Sequence, residues 1–515
     1  MKKIILLPFL ALITVTVSAQ MMSNILVSDE YSPEEPSITM NPKNPLMLMA
    51  GANLRSYYFS DDGGMSWTRG ELVSNQNGVY GDPCLITDTA GNFYYFHLAN
   101  PSNGNWLDRI VCQRYDNTTN TWNDGSYMGL NGDKDQDKAW AVVDSATNTI
   151  YVTWTQFDQY GSNDTAKHSD IMFSKSSDMG DSWSPALRIN EVRGDCIDSD
   201  NTVEGAVPAV GPDGEIYVAW AGPAGIVFDR SLDGGNTWLD HDIFVSDQPG
   251  GWDYNVPGIY RCNGLPVTCC DLSRSQYRGT IYVNWTDQRN GTGDTDVWLA
   301  KSTDGGNSWS NPIRVNDDAP GRQQFFSWMT VDGANGDIYI VFYDRRNYID
   351  NHTDVCIARS TDGGETFQNF IVNLDPFNPV SQVFFGDYTN ITAYDGFVHA
   401  IWTRADITSL SVWVTNIDFF VGTVENDEPI PAKIYPNPAK DIVNFEFSLK
   451  SSSKVSAKLI DMYGKTVALL FSGKSYGKGS HKEVFDTGSL NLAPGIYYLS
   501  ARFNNTFYKN KLVIE

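Results

Sequence analysis

The sequence predicts an all-β protein, a seven-bladed (alternatively six-bladed) β-propeller followed by a small β-sandwich. Three observations predict this fold. A unit of four short strands recurs along most of the chain, and most copies of that unit contain an acidic glycine-rich turn. Near residue 425 the Trp-rich repeats end and the net charge changes from negative to positive. The abundance of Gly, Trp and Tyr also favours strands and turns over helices.

The first element is an export signal over residues 1–19. Lys2 and Lys3 precede an apolar run over residues 4–16, and small residues at 17–19 predict cleavage before Gln20. The run is short for a membrane span, and no later apolar run reaches about 18 residues, so no transmembrane segment is expected. We therefore expect a secreted or cell-surface protein.

The second element is a turn that occurs five times, as STDGGNSWS at residues 302–310 and in near-copies at 60–68, 176–184, 231–239 and 360–368. Its Asp can accept backbone N–H bonds across a tight hairpin, its Gly residues permit positive φ, and its aromatic residue can pack on the sheet. Five copies favour a structural role over a catalytic one. The residues predicted to fill it are Asp62, Trp67, Asp178, Trp183, Asp233, Trp238, Asp304, Trp309, Asp362 and Phe367.

Seven repeat units are visible between residues 20 and 424, the predicted propeller domain. Their closing aromatic residues recur at steps of 55 to 71 residues, the length of one four-stranded blade with variable loops. The second unit has a decayed turn that ends in Trp122, and the seventh unit supplies only three strands. Residues 24–28 (NILVS) are expected to add the fourth strand and close the ring.

The repeated turn resembles the Asp box, or BNR repeat, of sialidase-like propellers. That resemblance implies a scaffold shared by sialidases, other glycan-active enzymes, receptors and assembly factors. Sialidases carry an aromatic-Arg-Ile-Pro signature near the start of the domain, where this chain has Glu35-Pro-Ser-Ile38. The catalytic signature is therefore missing, and no catalytic residue can be transferred by resemblance.

Candidate site residues lie in loops on the face opposite the repeated turns. Arg289, Arg345 and Arg404 are candidates for binding an anionic ligand, because guanidinium groups suit carboxylates. The alternative is that each Arg pairs with a neighbouring Asp and fixes its own loop. Asp387 is the candidate acid, and Glu204 with Tyr388 is the candidate nucleophile pair.

These residues predict a secreted glycoside hydrolase of sialidase-like type, acting on an acidic extracellular glycan or glycoprotein. The alternative is a non-catalytic propeller that binds glycan or protein at the cell surface. A net charge of −25 argues against a nucleic-acid partner. Asp133, Asp135 and Asp137 could bind calcium through their carboxylate oxygens, and the alternative is a solvated acidic loop. The sequence indicates no other cofactor.

Seven cysteines are compatible with disulfides in an exported protein. The closest in sequence are Cys262, Cys269 and Cys270, and we expect Cys262 to pair with one of the other two.

The last element is a C-terminal domain over residues 433–515, joined by a linker over 425–432. Residues 431–515 hold 11 Lys and 1 Arg against 6 Asp and Glu, a net charge of +6 in an acidic protein. The segments Ile434–Pro438 (IYPNP), Asp461–Gly464 (DMYG), Pro494–Tyr498 (PGIYY) and the closing Lys509–Val513 resemble the sorting domain of Bacteroidetes type IX secretion substrates. The resemblance implies export across both membranes through that translocon. The alternative is an ordinary accessory β-sandwich.

Overall fold

The structure is a computed structural model that describes residues 21–419, 430–461, 466–490, 492–503 and 506–515. The predicted signal peptide, most of the predicted linker and the predicted turns at 462–465 and 504–505 lie outside the described residues. The chain divides into two compact units, one of which is Met22–Ile417. The other holds the C-terminal residues from Asp418 onward.

The larger unit contains seven antiparallel sheets, numbered here in chain order. In each of sheets 1 to 6, four strands follow one another along the chain in the same order as in the sheet. Sheets 1 to 3 consist of Ser37–Met40, Leu48–Ala52, Ser56–Ser60 and Thr68–Glu71; Cys84–Thr87, Phe93–Leu98, Ile110–Asp116 and Ser126–Met128; and Asp135–Val143, Ile150–Phe157, Ser169–Ser176 and Leu187–Arg188. Sheets 4 to 6 consist of Glu204–Val210, Ile216–Gly222, Gly225–Ser231 and Ile243–Ser246; Val267–Cys270, Ile281–Asp287, Asp296–Ser302 and Ile313–Arg314; and Gln324–Val331, Ile338–Asp344, Asp354–Ser360 and Gln368–Ile371.

Sheet 7 is built from both ends of the unit. Asn390–Tyr394, Phe397–Asp406 and Ser409–Asp418 are its first three strands, and Met21–Ser28 pairs with the third. The segment 24–28 thus lies where the sequence predicted the closing strand. Two short additions complete the unit: Thr121–Trp122 pairs with Ile110–Asp116, and Asp253–Tyr254 pairs with Cys262–Asn263 in a hairpin between sheets 4 and 5.

The apolar core lies between neighbouring sheets. The first strand of each sheet contacts the first strand of the next, and the first strand of sheet 7 contacts that of sheet 1. Second strands such as Ile150–Phe157 and Ile281–Asp287 are buried at every position, as expected for strands covered on both faces. Trp154, Trp220, Trp285 and Trp402, all on second strands, are among the largest fully buried side chains.

The repeated turns make the contacts expected of a structural device. In the turn at 302–310, the carboxylate of Asp304 accepts hydrogen bonds from the N–H of Ser308 (3.0 Å) and from the hydroxyls of Ser302 (2.8 Å) and Ser308 (2.6 Å). Trp309 meets Phe228 of sheet 4 edge-on, with ring centroids 5.1 Å apart. This turn therefore joins sheet 5 to sheet 4.

The topology separates these turns from the starts of the first strands. The turns follow the third strands, and antiparallel pairing places them beside the ends of the first strands. The opposite rim carries the starts of the first strands, where Glu35, Asp82, Lys138 and Phe326 have positive φ of 50 to 54°. Non-glycine residues adopt this conformation rarely, so their side chains leave the regular alternation of the strands at this rim.

The C-terminal unit has two antiparallel sheets. One consists of Ala432–Tyr435, Ile442–Leu449 and Gly479–Asp486, and the other of Ser453–Asp461, Thr466–Tyr476, Gly495–Phe503 and Thr506–Ile514. Both contribute to one apolar core, which includes Phe445, Phe447, Leu499 and Leu512.

The expected disulfide is wrong. All seven cysteines are free thiols, and six of them are buried. Cys262 lies in the hairpin opposite Tyr254, whereas Cys269 and Cys270 lie on the first strand of sheet 5 opposite Tyr282 and Ile281. The cysteines therefore fill apolar positions as small hydrophobic residues. Among the described residues, none forms an apolar helix long enough to span a membrane.

Candidate functional site

A narrow cavity lies at the rim where the first strands begin. The gap between its lining atoms measures about 420 Å³ with its open mouth included, and about 20 Å³ of it can hold the centre of a water molecule. The lining comes from sheets 3 to 6, from the hairpin and loop before sheet 5, and from the segment before sheet 7: Lys138, Trp140, Gly205, Val207, Asn263, Leu265, Pro266, Val267, Thr286, Phe326, Ser327, Trp328, Asp387 and Tyr388. Trp140, Trp328 and Tyr388 pack together, with centroids 4.3 Å apart for the two indoles and 5.0 Å for Trp140 and Tyr388.

Asp387 is the carboxylate at the wall of this cavity. Its side chain is 3% exposed and accepts a hydrogen bond from Lys138 Nζ (2.8 Å). Arg261 donates to both of its oxygens, Nε at 2.9 Å from Oδ1 and a terminal nitrogen to Oδ2. Burial opposes ionisation, but the two cations prevail and lower the pKa of Asp387 to about 2. Asp387 is therefore an anion at neutral pH.

Glu35 stands behind Asp387 and is also buried. Its Oε1 accepts the backbone N–H of Asp387 at 3.2 Å, and its Oε2 accepts the amide of Asn53. Burial raises the pKa of Glu35 well above its ordinary value, and Asp82 and Asp387 add to the rise. Glu35 is also the carboxyl group that acts most strongly on the pKa of Tyr388, which burial raises.

Glu204 begins the first strand of sheet 4, next to the lining residue Gly205. Its side chain is fully buried, and neither carboxyl oxygen has a hydrogen-bond partner. Burial raises its pKa well above the ordinary value, and Asp198 raises it further. The same effect raises the pKa of Asp137 to about 8, with Lys138 opposing. Burial therefore favours the protonated form of Glu204.

Aromatic residues extend from this cavity to the surface. Trp106, which is 37% exposed, lies 5.1 Å from Tyr80 and 6.2 Å from Tyr160, centroid to centroid. The hydroxyl of Tyr160 donates to Asp198 at 2.6 Å, and Asp198 lies 3.6 Å from Arg261. Arg261 in turn stacks on Phe384 at 5.0 Å. A continuous chain of contacts thus links surface rings to Asp387.

The structure brings together some of the residues that the sequence predicted. Asp387 and Tyr388 line the cavity, and Glu204 is adjacent to it. Their predicted roles fit less well. Asp387 is held as an anion and so is a poor acid, while Glu204 has no hydrogen bond to Tyr388.

The three predicted anion-binding arginines do not lie in this cavity. Arg289 binds the carboxylate of Asp287, Arg404 binds that of Asp406, and Arg345 donates to Thr353 and to the carbonyl of Pro257. The loop-fixing alternative describes these contacts for Arg289 and Arg404. Each of these two guanidinium groups already pairs with a carboxylate two residues away, so its charge is neutralised without a ligand.

Sequence reasoning missed Lys138 and Arg261 as site residues. Lys138 lies at a bulge in the first strand of sheet 3 and ends the acidic run that had suggested calcium. Arg261 immediately precedes the second strand of the hairpin between sheets 4 and 5. Asp135 accepts the N–H of Tyr160 and Asp137 accepts that of Lys138, each at 2.8 Å. Among the residues that the structure describes, no group of three or more His, Cys, Asp or Glu side chains is arranged to hold a metal ion.

Comparison with known proteins identifies the C-terminal unit. Residues 433–515 match the secretion system C-terminal sorting domain. The protein is thus a type IX secretion substrate, exported to the cell surface or secreted. No curated protein sequence matches the chain.

The solved structures similar to this chain include a sialidase, a polysaccharide lyase and a glycosidase. A microbial sialidase, Hadza Hz136, is 15% identical over 73% of this chain and 74% of its own, with a TM-score of 0.42. A PL25 ulvan lyase is 14% identical over 77% and 94%, with a TM-score of 0.44. An α-L-arabinofuranosidase from Fusarium graminearum is 11% identical over 77% and 97%, with a TM-score of 0.44.

Proposed function

We propose that the larger unit is a seven-bladed β-propeller that acts as a secreted glycoside hydrolase on extracellular glycans. The cyclic contacts of the seven first strands support the ring, and the two C-terminal sheets, which share one core, support the predicted β-sandwich. In this ring the Asp-box turns lie at one face, and the cavity opens at the opposite face.

One observation carries the catalytic proposal. The cavity region holds carboxyl groups whose environments drive their pKa values in opposite directions, Asp387 downward and Glu204 upward. Glycosidic cleavage needs such a pair, a protonated acid for the leaving oxygen and an ionised carboxylate for the developing positive charge on the sugar. Glu204 would be the proton donor and Asp387 the anion, the reverse of the roles that the sequence suggested.

The remaining cavity residues support binding and orientation. Lys138 and Arg261 fix both oxygens of Asp387, so the carboxylate is oriented before a substrate arrives. Trp140, Trp328 and Tyr388 offer ring surfaces to the apolar face of a sugar. Tyr388 stays a binding residue in this scheme, because burial keeps its hydroxyl protonated.

The test compares Glu204→Gln and Asp387→Asn with Asp229→Asn on a panel of fluorogenic glycosides. Asp229 is a fully buried carboxyl group with one unpartnered oxygen, but it lies on the third strand of sheet 4, away from the cavity. We expect the first two changes to lower kcat by roughly 100-fold or more and the third to leave kcat within about twofold. Equal losses in all three variants would contradict the proposal.

A non-catalytic glycan-binding propeller is the second candidate, favoured by the same ion pairs. Lys138 and Arg261 already neutralise Asp387, as they would in a purely structural cluster. Saccharide binding on a glycan array, with no turnover of any glycoside on the panel, would establish this alternative.

A further inference from the structure

A second cavity lies between the end of sheet 3 and the outer strands of sheet 4. The gap between its lining atoms measures about 520 Å³ with its open mouth included, and about 170 Å³ of it can hold the centre of a water molecule. Its walls include the side chains of Val203, Trp220, Pro223, Val227 and Phe244. It shares no lining residue with the cavity beside Asp387, so an inference drawn from it is independent of the proposed glycoside hydrolase.

Trp220 contributes a polar group to this cavity that has no partner. The residue is 1% exposed, and its indole N–H donates no hydrogen bond to any residue that the structure describes. The tryptophans on the second strands of three other sheets all donate one, Trp154 to Gln136 at 2.7 Å, Trp285 to Asp287 at 2.8 Å and Trp402 to Thr415 at 3.0 Å. Trp220 is thus the member of this set that lacks an acceptor.

The position of this N–H distinguishes it from other unbonded indole groups. The indole nitrogens of Trp238, Trp298 and Trp309 also lack acceptors, but they are sealed inside the protein. The indole nitrogen of Trp220 is not sealed, and Trp220 lines the cavity, so its N–H faces the open volume. A buried donor without an acceptor is costly, and a ligand oxygen in the cavity would remove that cost.

We propose that this cavity binds a small neutral molecule that combines one aromatic ring with one oxygen acceptor, which is the chemistry of a phenol. An apolar protein cavity of roughly 150 Å³ binds benzene, so the volume admits a single ring. The rings of Trp220 and Phe244 suit aromatic packing. Glu191 and Asp242 line the cavity whereas no Lys or Arg does, which disfavours an anionic ligand.

The experiment measures binding to the full mature chain by titration calorimetry at pH 7. The probes are p-cresol, toluene, which lacks the oxygen, and p-toluate, which is an anion. We expect p-cresol and toluene to bind and p-toluate to show no binding. Trp220→Phe keeps an aromatic ring and removes the N–H, so the ratio of the p-cresol affinity to the toluene affinity should fall about fivefold, the effect of one hydrogen bond.

Two further variants serve as controls. Trp402→Phe removes an indole N–H that already bonds Thr415, so it should lower the urea unfolding midpoint and leave the affinity ratio unchanged. Trp220→Phe breaks no hydrogen bond in the free protein and should lower the midpoint less. Ala224 is an exposed lining residue, and Ala224→Trp should obstruct the cavity and abolish the binding of both p-cresol and toluene.

Three outcomes overturn the inference. If neither p-cresol nor toluene binds, the cavity holds water only. If Trp220→Phe leaves the affinity ratio unchanged, the indole N–H does not contact the ligand. Binding of p-toluate as tight as that of p-cresol contradicts the selection of a neutral molecule. Failure of the proposed function is a separate result, because these affinities do not depend on the turnover of any glycoside.

Discussion

At the scale of the residue, the site is governed by buried charge. Asp137, Glu204 and Asp387 are all buried carboxyl groups near Lys138, but only Asp387 has direct hydrogen bonds from two cations. Burial alone favours the neutral acid, while close cations favour the anion. Neighbouring carboxyl groups therefore hold different charges at one pH, which is the property that the proposed chemistry uses.

A pH dependence of stability follows for Asp137. In the unfolded chain this carboxyl group ionises near pH 4, whereas in the folded protein its pKa is about 8. The folded state binds the extra proton, so stability from this group is greatest below about pH 4 and falls as pH rises towards 8. The expected loss is about 1.4 kcal/mol per pH unit between these two pKa values, and Asp137→Asn should reduce the slope.

Urea unfolding midpoints at pH 5, 6, 7 and 8 measure this slope. Asp304→Asn is the control, because hydrogen bonds from Ser308 and Ser302 lower the pKa of Asp304 to about 2, outside the window. Asp304→Asn should shift all four midpoints together. A slope that Asp137→Asn leaves unchanged would show that Asp137 is ionised in the folded protein.

At the scale of the element, the repeated turn joins neighbouring sheets. Gly305 and Gly306 both have positive φ, at 74° and 88°. A methyl group on Gly306 would meet the ring of Phe228 at 2.3 Å, whereas one on Gly305 would meet only the end of Arg230 at 3.4 Å. The second glycine is therefore required by packing between sheets as well as by the backbone.

Alanine substitutions at Gly305 and at Gly306 distinguish the requirement of the backbone from the requirement of packing against Phe228. Gly305→Ala should cost about 1 kcal/mol of unfolding free energy for the left-handed backbone. Gly306→Ala should cost about 1–3 kcal/mol more, because the added methyl group displaces Phe228. Chemical unfolding of the two variants gives the comparison, and equal losses would mean that Phe228 moves aside freely.

Turns of this kind are also the elements that sequence predicts best. The DGG pattern specifies φ and hydrogen bonds within nine residues, and the Asp287–Arg289 pair is equally local, which is why both were visible in the sequence. The contact between Lys138 and Asp387 joins residues 249 positions apart. No local sequence pattern indicates a contact between residues so far apart in the chain. Lys138 and Arg261 are therefore recognised as site residues only from the three-dimensional arrangement of the sheets.

At the scale of the whole molecule, sheet 7 joins the two ends of the larger unit. Met21–Ser28 pairs with Ser409–Asp418, and Val27 packs on the core shared by sheets 7 and 1. Thr415 donates to the amide oxygen of Asn24 at 2.8 Å, and the amide nitrogen of Asn24 donates at 2.6 Å to the carbonyl of Val372, the residue after the last strand of sheet 6. This strand therefore contacts sheet 7 and the end of sheet 6.

Removing residues 20–28 from the mature chain should open the proposed ring. The third strand of sheet 7 becomes an unpaired edge, and apolar residues next to Val27 become exposed. We expect the melting temperature of the larger unit to fall by roughly 10 °C, measured by differential scanning calorimetry. A synthetic peptide of residues 20–30 should restore the temperature in a concentration-dependent way, whereas the same peptide with Val27→Asp should not. An unchanged melting temperature after the deletion would show that the strand is an accessory and that the sheets do not depend on closure.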